Sequence, residues 1–252
     1  TATAYTAKFT IAAATGPAEL NASPNQPPRN GGGLGSESSN GLGLGDLDGD
    51  GDLDVFVANL RRNQVLLNNG SGVFTSAATQ PPNPTLNDRG MSLGDLDGDG
   101  DLDAFVTNLE QNQVLLNNGN GVFTAADTQP PRRDDSSDVS LGDLDGDGDL
   151  DAFVVTRRGA NQVLLNNGSG IFTAATNQPP GGGDSPDVSL GDLDGDGDLD
   201  AFVAYFGQAN QVLLNNGSGV FTVAATQPPG TDNSLGVSLG DLDGDGDLDA
   251  FV

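Results

Sequence analysis

The chain has 252 residues, with 36 acidic and 9 basic side chains and without cysteine, histidine or tryptophan. A formal net charge of −27 excludes a basic nucleic-acid footprint, which needs clustered lysine and arginine. Without cysteine and histidine, the usual ligand sets of zinc, copper and iron are excluded, and disulfides give no information on the redox compartment. No apolar run approaches the roughly 20 residues of a transmembrane helix, so membrane insertion is not predicted.

In chain order, three kinds of segment can be distinguished. Residues 1–15 are predicted to form strands, and residues 16–45, rich in glycine, serine and asparagine, are predicted to form a long connecting loop. From residue 46 onward, one nine-residue segment recurs without change. The start at Thr1, without methionine or a basic leader, is expected of a secreted chain that has lost its signal peptide or of a trimmed chain.

The recurring segment has the composition of a calcium loop. In its first copy Asp46, Asp48, Asp50 and Asp54 occupy positions 1, 3, 5 and 9, and the backbone carbonyl of Asp52 stands at position 7. This is the first part of an EF-hand-type ligand set, in which a glycine at position 6 allows a sharp turn with positive φ. Hard oxygen ligands in a flexible loop favour calcium over magnesium, which requires a strict octahedron.

Position 12, where an EF-hand has glutamate, carries valine, and the residues that follow the loop are typical of a strand. The loop is therefore predicted to join two strands, and its five copies predict about one calcium ion per repeat, five in total. The predicted metal-binding residues are Asp46, Asp48, Asp50, Asp52 and Asp54; Asp95, Asp97, Asp99, Asp101 and Asp103; Asp143, Asp145, Asp147, Asp149 and Asp151; Asp192, Asp194, Asp196, Asp198 and Asp200; and Asp241, Asp243, Asp245, Asp247 and Asp249.

The loops start at residues 46, 95, 143, 192 and 241, which gives a repeat of 48 or 49 residues. In the third repeat, strands are predicted at Val139–Gly142, Ala152–Val154, Gln162–Leu165 and Ile171–Ala174, with a tight Asn-Gly hairpin before the last strand. A Gln-Pro-Pro segment ends the unit, because proline cannot continue a ladder. Four short antiparallel strands in such a unit are typical of a β-propeller blade.

The chain ends two strands into its fifth repeat, and the segment around Phe9 matches the fourth strand around Phe74. The sequence therefore predicts an all-β, five-bladed propeller whose ring is closed by N- and C-terminal strands that share one blade. This propeller is predicted to be a single domain of residues 1–252. The predicted blades are residues 44–92, 93–140, 141–189, 190–238, and 239–252 plus 1–15, with residues 16–45 as the connecting loop.

Two motifs carry a family resemblance: Asp-x-Asp-Gly-Asp-Gly-x-x-Asp before an apolar strand, and Asn-Gln-Val-Leu-Leu-Asn-Asn-Gly-x-Gly-Val-Phe-Thr after it. Together they resemble the FG-GAP/VCBS repeat family and the calcium-binding blades of the integrin α-subunit propeller, over almost the whole chain. The resemblance implies a calcium site between the first two strands of each blade, with ligands at loop positions 1, 3, 5 and 9.

Two features depart from the integrin pattern. Integrin-type propellers have seven blades whereas this chain has repeats for five, and the Phe-Gly and Gly-Ala-Pro signatures are not legible. Integrin-like partner binding is therefore not expected. Relatives in the family include lectins, adhesins and accessory domains of extracellular enzymes.

The repeats differ most in the turn between strands two and three. Tyr205 and Phe206 are extra aromatics there, which either stack on a sugar, fill a neighbouring subunit, or are ordinary loop variation. The arginine pairs at 61–62, 132–133 and 157–158 either bind acidic glycans, dock on a neighbour's acidic loops, or are solvated charges. The phenylalanines at one position of every repeat are predicted to form the core between blades: Phe56, Phe105, Phe153, Phe202 and Phe251.

No catalytic site is predicted, because the carboxylates are already assigned as metal ligands and five identical copies are unlike an active site. Two function classes remain. One is a calcium-stabilised, extracellular, non-catalytic binding or adhesion module, with glycans or cell-surface and matrix proteins as partners. The other is a structural subunit of an extracellular fibre or surface coat, a homo-oligomer or filament assembled by strand complementation or propeller stacking. Four sequons, which serve either glycosylation or the turn itself, begin at Asn21, Asn69, Asn167 and Asn216.

Overall fold

The computed structural model describes residues 39–82, 87–131, 135–230 and 233–252, and all of these residues belong to the second of two compact units, residues 33–252. The described residues form strands and turns only, so they include no apolar helix long enough to cross a membrane. The predicted strands within residues 1–15 lie outside the described residues.

Within these described ranges, eighteen strands form four four-stranded sheets and one two-stranded sheet. In every sheet the strands follow chain order and are antiparallel, which confirms the predicted four-stranded antiparallel unit. Sheet 1 contains β1 (Ser39–Gly45), β2 (Asp54–Asn59), β3 (Gln64–Asn68) and β4 (Phe74–Ser76); sheet 2 contains β5 (Asp88–Gly94), β6 (Asp103–Asn108), β7 (Gln113–Asn117) and β8 (Phe123–Ala125); sheet 3 contains β9 (Ser136–Gly142), β10 (Asp151–Thr156), β11 (Gln162–Asn166) and β12 (Phe172–Ala174); sheet 4 contains β13 (Asp187–Gly191), β14 (Asp200–Ala204), β15 (Gln211–Asn215) and β16 (Phe221–Val223); sheet 5 contains β17 (Ser238–Gly240) and β18 (Asp249–Phe251).

The prediction of a connecting loop over residues 16–45 is wrong for its last part, because strand β1 occupies Ser39–Gly45. Its Gly-Leu-Gly-Leu-Gly sequence has the composition of a loop, yet it pairs with β2 in the register of the other sheets, with Gly43 opposite Phe56. The glycines allow β5 to lie close: a Cβ on Gly43 would stand 2.8 Å from the Leu93 side chain. Tertiary packing overrides local propensity at this strand.

The turns have the local chemistry that the sequence predicts. In the hairpin between β3 and β4, Gly70 and Gly72 have φ of 75° and 72°, and the Asn69 side chain accepts a hydrogen bond from the Ser71 amide at 3.1 Å. These are the positive φ values that Asn-Gly hairpins supply without strain. The asparagine of this sequon therefore has a structural role in the turn.

The hydrophobic core lies between neighbouring sheets. Phe56, Phe105 and Phe153 are fully buried and Phe202 nearly so, which confirms the predicted core position in four repeats. The first three pack edge-on against a phenylalanine of the next sheet, at centroid distances of 5.1 to 5.2 Å. Such T-shaped pairs contribute about 0.5–1.5 kcal/mol each beyond area burial.

The equivalent residue of the fifth repeat is different, because Phe251 is 72% exposed. In this structure no following sheet covers it, so the prediction of a core position is wrong for the described arrangement of sheet 5. The ring closure predicted from the repeat count thus depends on a contact that sheet 5 does not make here.

Candidate metal-binding loops and variable turns

Each metal-binding loop connects the first two strands of its sheet and is shaped by its own aspartates. In the first loop the Asp46 carboxylate accepts hydrogen bonds from the Gly49 amide at 2.8 Å and the Gly51 amide at 3.0 Å. The Asp50 carboxylate accepts one from the Asp52 amide at 2.9 Å. Gly51 has φ of 91°, which confirms the positive φ expected at position 6. The same contacts recur in the other four loops.

In every loop three carboxylates offer oxygen atoms within 4.8 Å of one another. The three stand at positions 1, 3 and 5 in loops 1, 2 and 5, and at positions 1, 3 and 9 in loops 3 and 4. The carboxylate at position 7, Asp52 in the first loop, lies instead against the Gly70 hairpin. The structure thus brings together the aspartates at positions 1 and 3 in all copies.

These carboxylates fit a hard divalent cation. Burial raises the pKa of Asp48 above its ordinary value, and the negative charges of Asp54 and Asp50 raise it further. The pKa values of Asp97 and Asp145 are raised in the same way. Among the described residues no arginine pairs with a loop aspartate, since the ion pairs there join Arg89 and Arg158 to Asp135. A calcium ion would relieve this repulsion with oxygen ligands of the type it prefers.

The aspartate at position 9 has a second contact set that the sequence did not predict. Asp54 is fully buried, and its two oxygens accept hydrogen bonds from the Leu47 amide at 2.9 Å and the Asn68 amide at 2.7 Å. It therefore ties the loop to the third strand of its own sheet. In the second loop, burial raises the pKa of the equivalent Asp103 to about 6, against the opposing effect of the Asn117 and Leu96 amides.

Each of the first three loops is also attached to the hairpin of the next sheet. The Leu47 carbonyl accepts hydrogen bonds from the Gly121 amide at 2.7 Å and from Asn117 Nδ2 at 2.9 Å. Leu96 and Leu144 accept the equivalent pairs from Gly170 and Asn166, and from Gly219 and Asn215. The repeated Asn-Asn-Gly-x-Gly pattern predicts the turn, but it does not predict this contact with the neighbouring loop.

The variable turns differ from the sequence hypothesis at one aromatic residue. Tyr205 is fully buried in the core between sheets 3 and 4, where its hydroxyl accepts a hydrogen bond from Asn161 Nδ2 at 3.3 Å and donates one to Gln211 Oε1 at 3.2 Å. The hypothesis that Tyr205 stacks on a sugar is therefore wrong. Phe206 is 46% exposed and can still contact a ligand. The exposed side chains of Arg61, Arg62, Arg157 and Arg158 can do so as well. The arginines at 132–133 lie outside the described residues.

A cavity of about 600 Å³ lies where the first strands of the sheets begin. Its lining residues come from five successive repeats and include Asn40, Arg89, Asp138, Asp187 and Leu235. This position is at the end of the sheets opposite the metal-binding loops, because β1 runs from the cavity toward its loop. The five repeats therefore face one common cavity.

A family model described as FG-GAP-like repeat matches four overlapping segments, residues 46–106, 95–154, 143–203 and 192–252. Each match begins at the first aspartate of one loop and ends after the next loop. A search of curated proteins gives no match.

Solved structures with similar folds include a lectin of Agrocybe aegerita that specifically recognises non-reducing terminal N-acetylglucosamine. It is 24% identical, the match covers 72% of this chain and 50% of the lectin, and the TM-score is 0.51. This chain thus spans about half the length of the lectin. The biofilm matrix protein Bap1 of V. cholerae (18% identity, 84% and 34% covered, TM-score 0.48) and the Tc holotoxin pore of Photorhabdus luminescens (21% identity, 86% and 11% covered, TM-score 0.49) also match.

Proposed function

The chain belongs to the FG-GAP-like repeat family, and from this premise we propose that it is a calcium-stabilised, non-catalytic binding module that works outside the cell. The observation that carries the proposal is the fivefold repetition of a loop in which three carboxylates converge without a basic partner among the described residues. Five identical sites suit a stabilising ion better than a reaction centre, which needs groups of different function.

Calcium would act between sheets as well as within them. The backbone of each of the first three loops is bonded to the hairpin of the next sheet, so ordering a loop also orders an interface. Loops of this type that bind at about 10⁻⁴ to 10⁻³ M need extracellular calcium concentrations. This is the physical reason for the extracellular setting in the proposal.

We further propose that the repeats form the five blades of a propeller around the cavity that all five repeats line. The predicted sharing of the fifth blade between the two chain ends would complete it. A ligand would then meet the variable turns between the second and third strands, where Phe206, Arg61 and Arg157 are exposed. Carbohydrate is the first ligand class to test, because a fold of this kind serves that purpose in the Agrocybe lectin.

The calcium part of the proposal is tested by thermal unfolding with and without chelator. Each site occupied at 100 times its Kd should add about 2.7 kcal/mol to the free energy of unfolding, so chelation should lower Tm by many degrees. Calorimetric titration should give about five sites per chain, consistent with the five loops. A melting curve that is unchanged by chelator contradicts the proposal.

The binding part is tested on a glycan array in millimolar calcium. Phe206→Ala should weaken any glycan signal while leaving Tm unchanged, because Phe206 is half exposed in a turn. Val223→Ala is the control, since Val223 is 47% exposed on β16, away from the variable turns. A signal that both variants retain would move the ligand away from the turn that carries Phe206.

A further inference from the structure

One asparagine in each of sheets 2, 3 and 4 is bonded to two metal-binding loops at once. In sheet 2 this residue is Asn117, which ends β7. Its Nδ2 donates a hydrogen bond to the Leu47 carbonyl of loop 1 at 2.9 Å, and its backbone amide donates one to Asp103 Oδ1 of loop 2 at 2.7 Å. The same Nδ2 lies 3.2 Å from the Leu102 carbonyl, which also belongs to loop 2. A single residue thus connects loop 1 to loop 2.

The same connection recurs between loops 2 and 3 and between loops 3 and 4. In each case the side chain donates to the position-2 carbonyl of the preceding loop, and the backbone amide donates to the position-9 aspartate of the next loop. The pairs are Asn166 with Leu96 at 2.8 Å and Asp151 at 2.8 Å, and Asn215 with Leu144 at 2.9 Å and Asp200 at 2.8 Å. The three linking asparagines, as they are called below, are Asn117, Asn166 and Asn215.

The aspartate at position 9 carries the connection through each loop. Asp103 accepts the Asn117 amide on Oδ1 and the Leu96 amide on Oδ2, the second at 2.9 Å. The Leu96 carbonyl in turn accepts the linking asparagine of the next sheet. Because loops 1 and 3 repeat this arrangement, an unbroken path of bonded residues runs from Asp54 in loop 1 to Asp200 in loop 4.

This path lies in the interior of the protein. The linking asparagines are at most 6% exposed, and the position-9 aspartates and position-2 leucines along the path are at most 1% exposed. Hydrogen bonds shielded from water are stronger than exposed ones, and bonds in a network polarise one another. Position 2 lies between the proposed calcium ligands at positions 1 and 3. Holding its peptide groups on both sides therefore restricts where those two carboxylates can stand.

We infer that the linking asparagines couple calcium binding in adjacent loops, so that an occupied loop raises the affinity of the next. The coupling rests on the proposed calcium binding. Filling one loop fixes its position-9 aspartate and its position-2 leucine, and these hold one side of the bond to the adjacent loop in place. The adjacent loop then has less freedom to lose when it binds its own ion, which is positive cooperativity. The effect is reciprocal, as linked binding equilibria require.

The sign of this coupling differs from the sign that charge alone would give. Each loop carries five aspartates, so it attracts cations to the adjacent loops as well as to itself. An ion bound in one loop cancels part of that attraction and lowers the affinity of the next loop. Charge alone therefore gives negative cooperativity, whereas the hydrogen-bonded path gives positive cooperativity.

A calcium titration followed by NMR in 0.15 M salt measures the sign. The amide of the glycine at position 6 reports each loop separately, because it bonds the aspartate at position 1 in each loop: Gly51, Gly100, Gly148 and Gly197. Loops 1 to 4 should fill together, with a Hill coefficient clearly above 1. Independent or successively weaker filling overturns the coupling and leaves the proposed calcium binding intact, whereas a protein that binds no calcium overturns both.

Removing one ligand from loop 2 tests which loops are coupled. Asp97→Asn should raise the apparent calcium Kd of loops 1 and 3 about fivefold or more, the lower end of the usual range for coupled sites. Loop 4 is joined to loop 2 only through loop 3, so its Kd should rise less. An equal rise in loops 1, 3 and 4 would show coupling through overall folding, and it would overturn the role of the path.

A double variant tests the linking asparagine itself. In the presence of Asn166→Ala, Asp97→Asn should no longer change the Kd of loop 3, while loop 1 should still respond because Asn117 still joins it to loop 2. Loop 1 is thus a reference within the same molecule, since a general loss of stability would affect both loops. A loop 3 that still responds overturns the inference.

The matched control is Asn167→Ala in the same hairpin. Asn167 is exposed, and its side chain accepts a hydrogen bond from the Ser169 amide within the hairpin at 3.1 Å. This change disturbs the turn but keeps the side chain and backbone bonds of Asn166. The response of loop 3 to Asp97→Asn should therefore persist in this background. Its loss would assign the coupling to the turn and overturn the role of Asn166.

Discussion

At the scale of single residues, the glycine that ends the first strand of each sheet decides how closely two sheets approach. Gly142 has no room for a side chain because Leu199 and Leu190 lie against it, whereas Gly240 has open space. Neither glycine has the positive φ that would itself forbid alanine. Replacement by alanine should therefore affect stability differently at these two glycines, although they stand at the same position of their repeats.

We expect Gly142→Ala to lower the free energy of unfolding by about 1–3 kcal/mol, the usual range for forcing a methyl group into a packed interface. Gly240→Ala should change it by less than about 0.5 kcal/mol, as for an open site. Chemical unfolding of dilute protein in millimolar calcium measures both. Equal losses for the two variants would show that Gly240 is covered in solution within one chain.

The Asp138 side chain is the clearest source of pH dependence outside the metal-binding loops. It lines the cavity, and burial raises its pKa well above the ordinary value, as do the hydrogen bond and the charge of Asp187 beside it. A raised pKa in the folded state means that the folded chain holds a proton that the unfolded chain releases. Stability is therefore lost as pH rises from the unfolded pKa to the folded one.

We expect Asp138→Asn to raise Tm at pH 7 to 8, with a gain that shrinks as pH falls below the ordinary pKa of 3.8, where the wild-type carboxyl becomes protonated in both the folded and the unfolded state. The gain should be about 1.4 kcal/mol for each unit by which the folded pKa is raised. Thermal unfolding across this pH range measures it, with the exposed Asp127→Asn as control. A gain that does not depend on pH would indicate a packing effect.

At the scale of elements, the sequence predicts the repeating unit well because every strand and turn signal occurs at least four times. Period-two patterning predicts the strand that follows each metal-binding loop and its phenylalanine core position. Turn chemistry predicts the Asn-Gly hairpins. Strand β1 was missed because its alternating glycines carry no strand propensity, and its position depends on packing against β5. The burial of Tyr205 is not predictable from its position in a variable turn, because one sequence does not show which side of a strand end faces the neighbouring sheet.

The bond between a metal-binding loop and the next hairpin cannot be predicted from the sequence, because the Asn-Asn-Gly-x-Gly pattern predicts the turn but does not show which loop the turn contacts. We expect Asn166→Ala to lower the free energy of unfolding by about 1–3 kcal/mol, because it removes a buried bond of 2.8 Å to the Leu96 carbonyl. It should also loosen the loop at residues 95–103 more than the loop of its own sheet. Hydrogen exchange at the Gly100 and Gly148 amides, at position 6 of the two loops, reports on each separately.

Asn68→Ala is the matched control for this variant, since Asn68 stands at the same repeat position without a preceding sheet to bond in the described structure. It should cost clearly less than Asn166→Ala. Equal losses in the free energy of unfolding would show that the bond within each sheet, and not the bond between sheets, stabilises the fold.

At the scale of the whole molecule, negative charge is concentrated at one end of the sheets. The five loops there hold 25 of the 36 acidic residues. The opposite end is mixed, because Arg61, Arg89 and Arg157 lie there together with the cavity residues Asp138 and Asp187. Calcium bound in the loops would therefore neutralise the charge where the repulsion between carboxylates is strongest.

The salt dependence of calcium binding tests this concentration of charge. Raising the ionic strength shortens the screening length from roughly 30 Å at 0.01 M to 8 Å at 0.15 M. The apparent calcium Kd of the loops should therefore rise with salt, because screening weakens the attraction between the loop aspartates and the cation. Calorimetric titration across this range gives the sign, and a Kd that stays constant would contradict electrostatic binding at the loops.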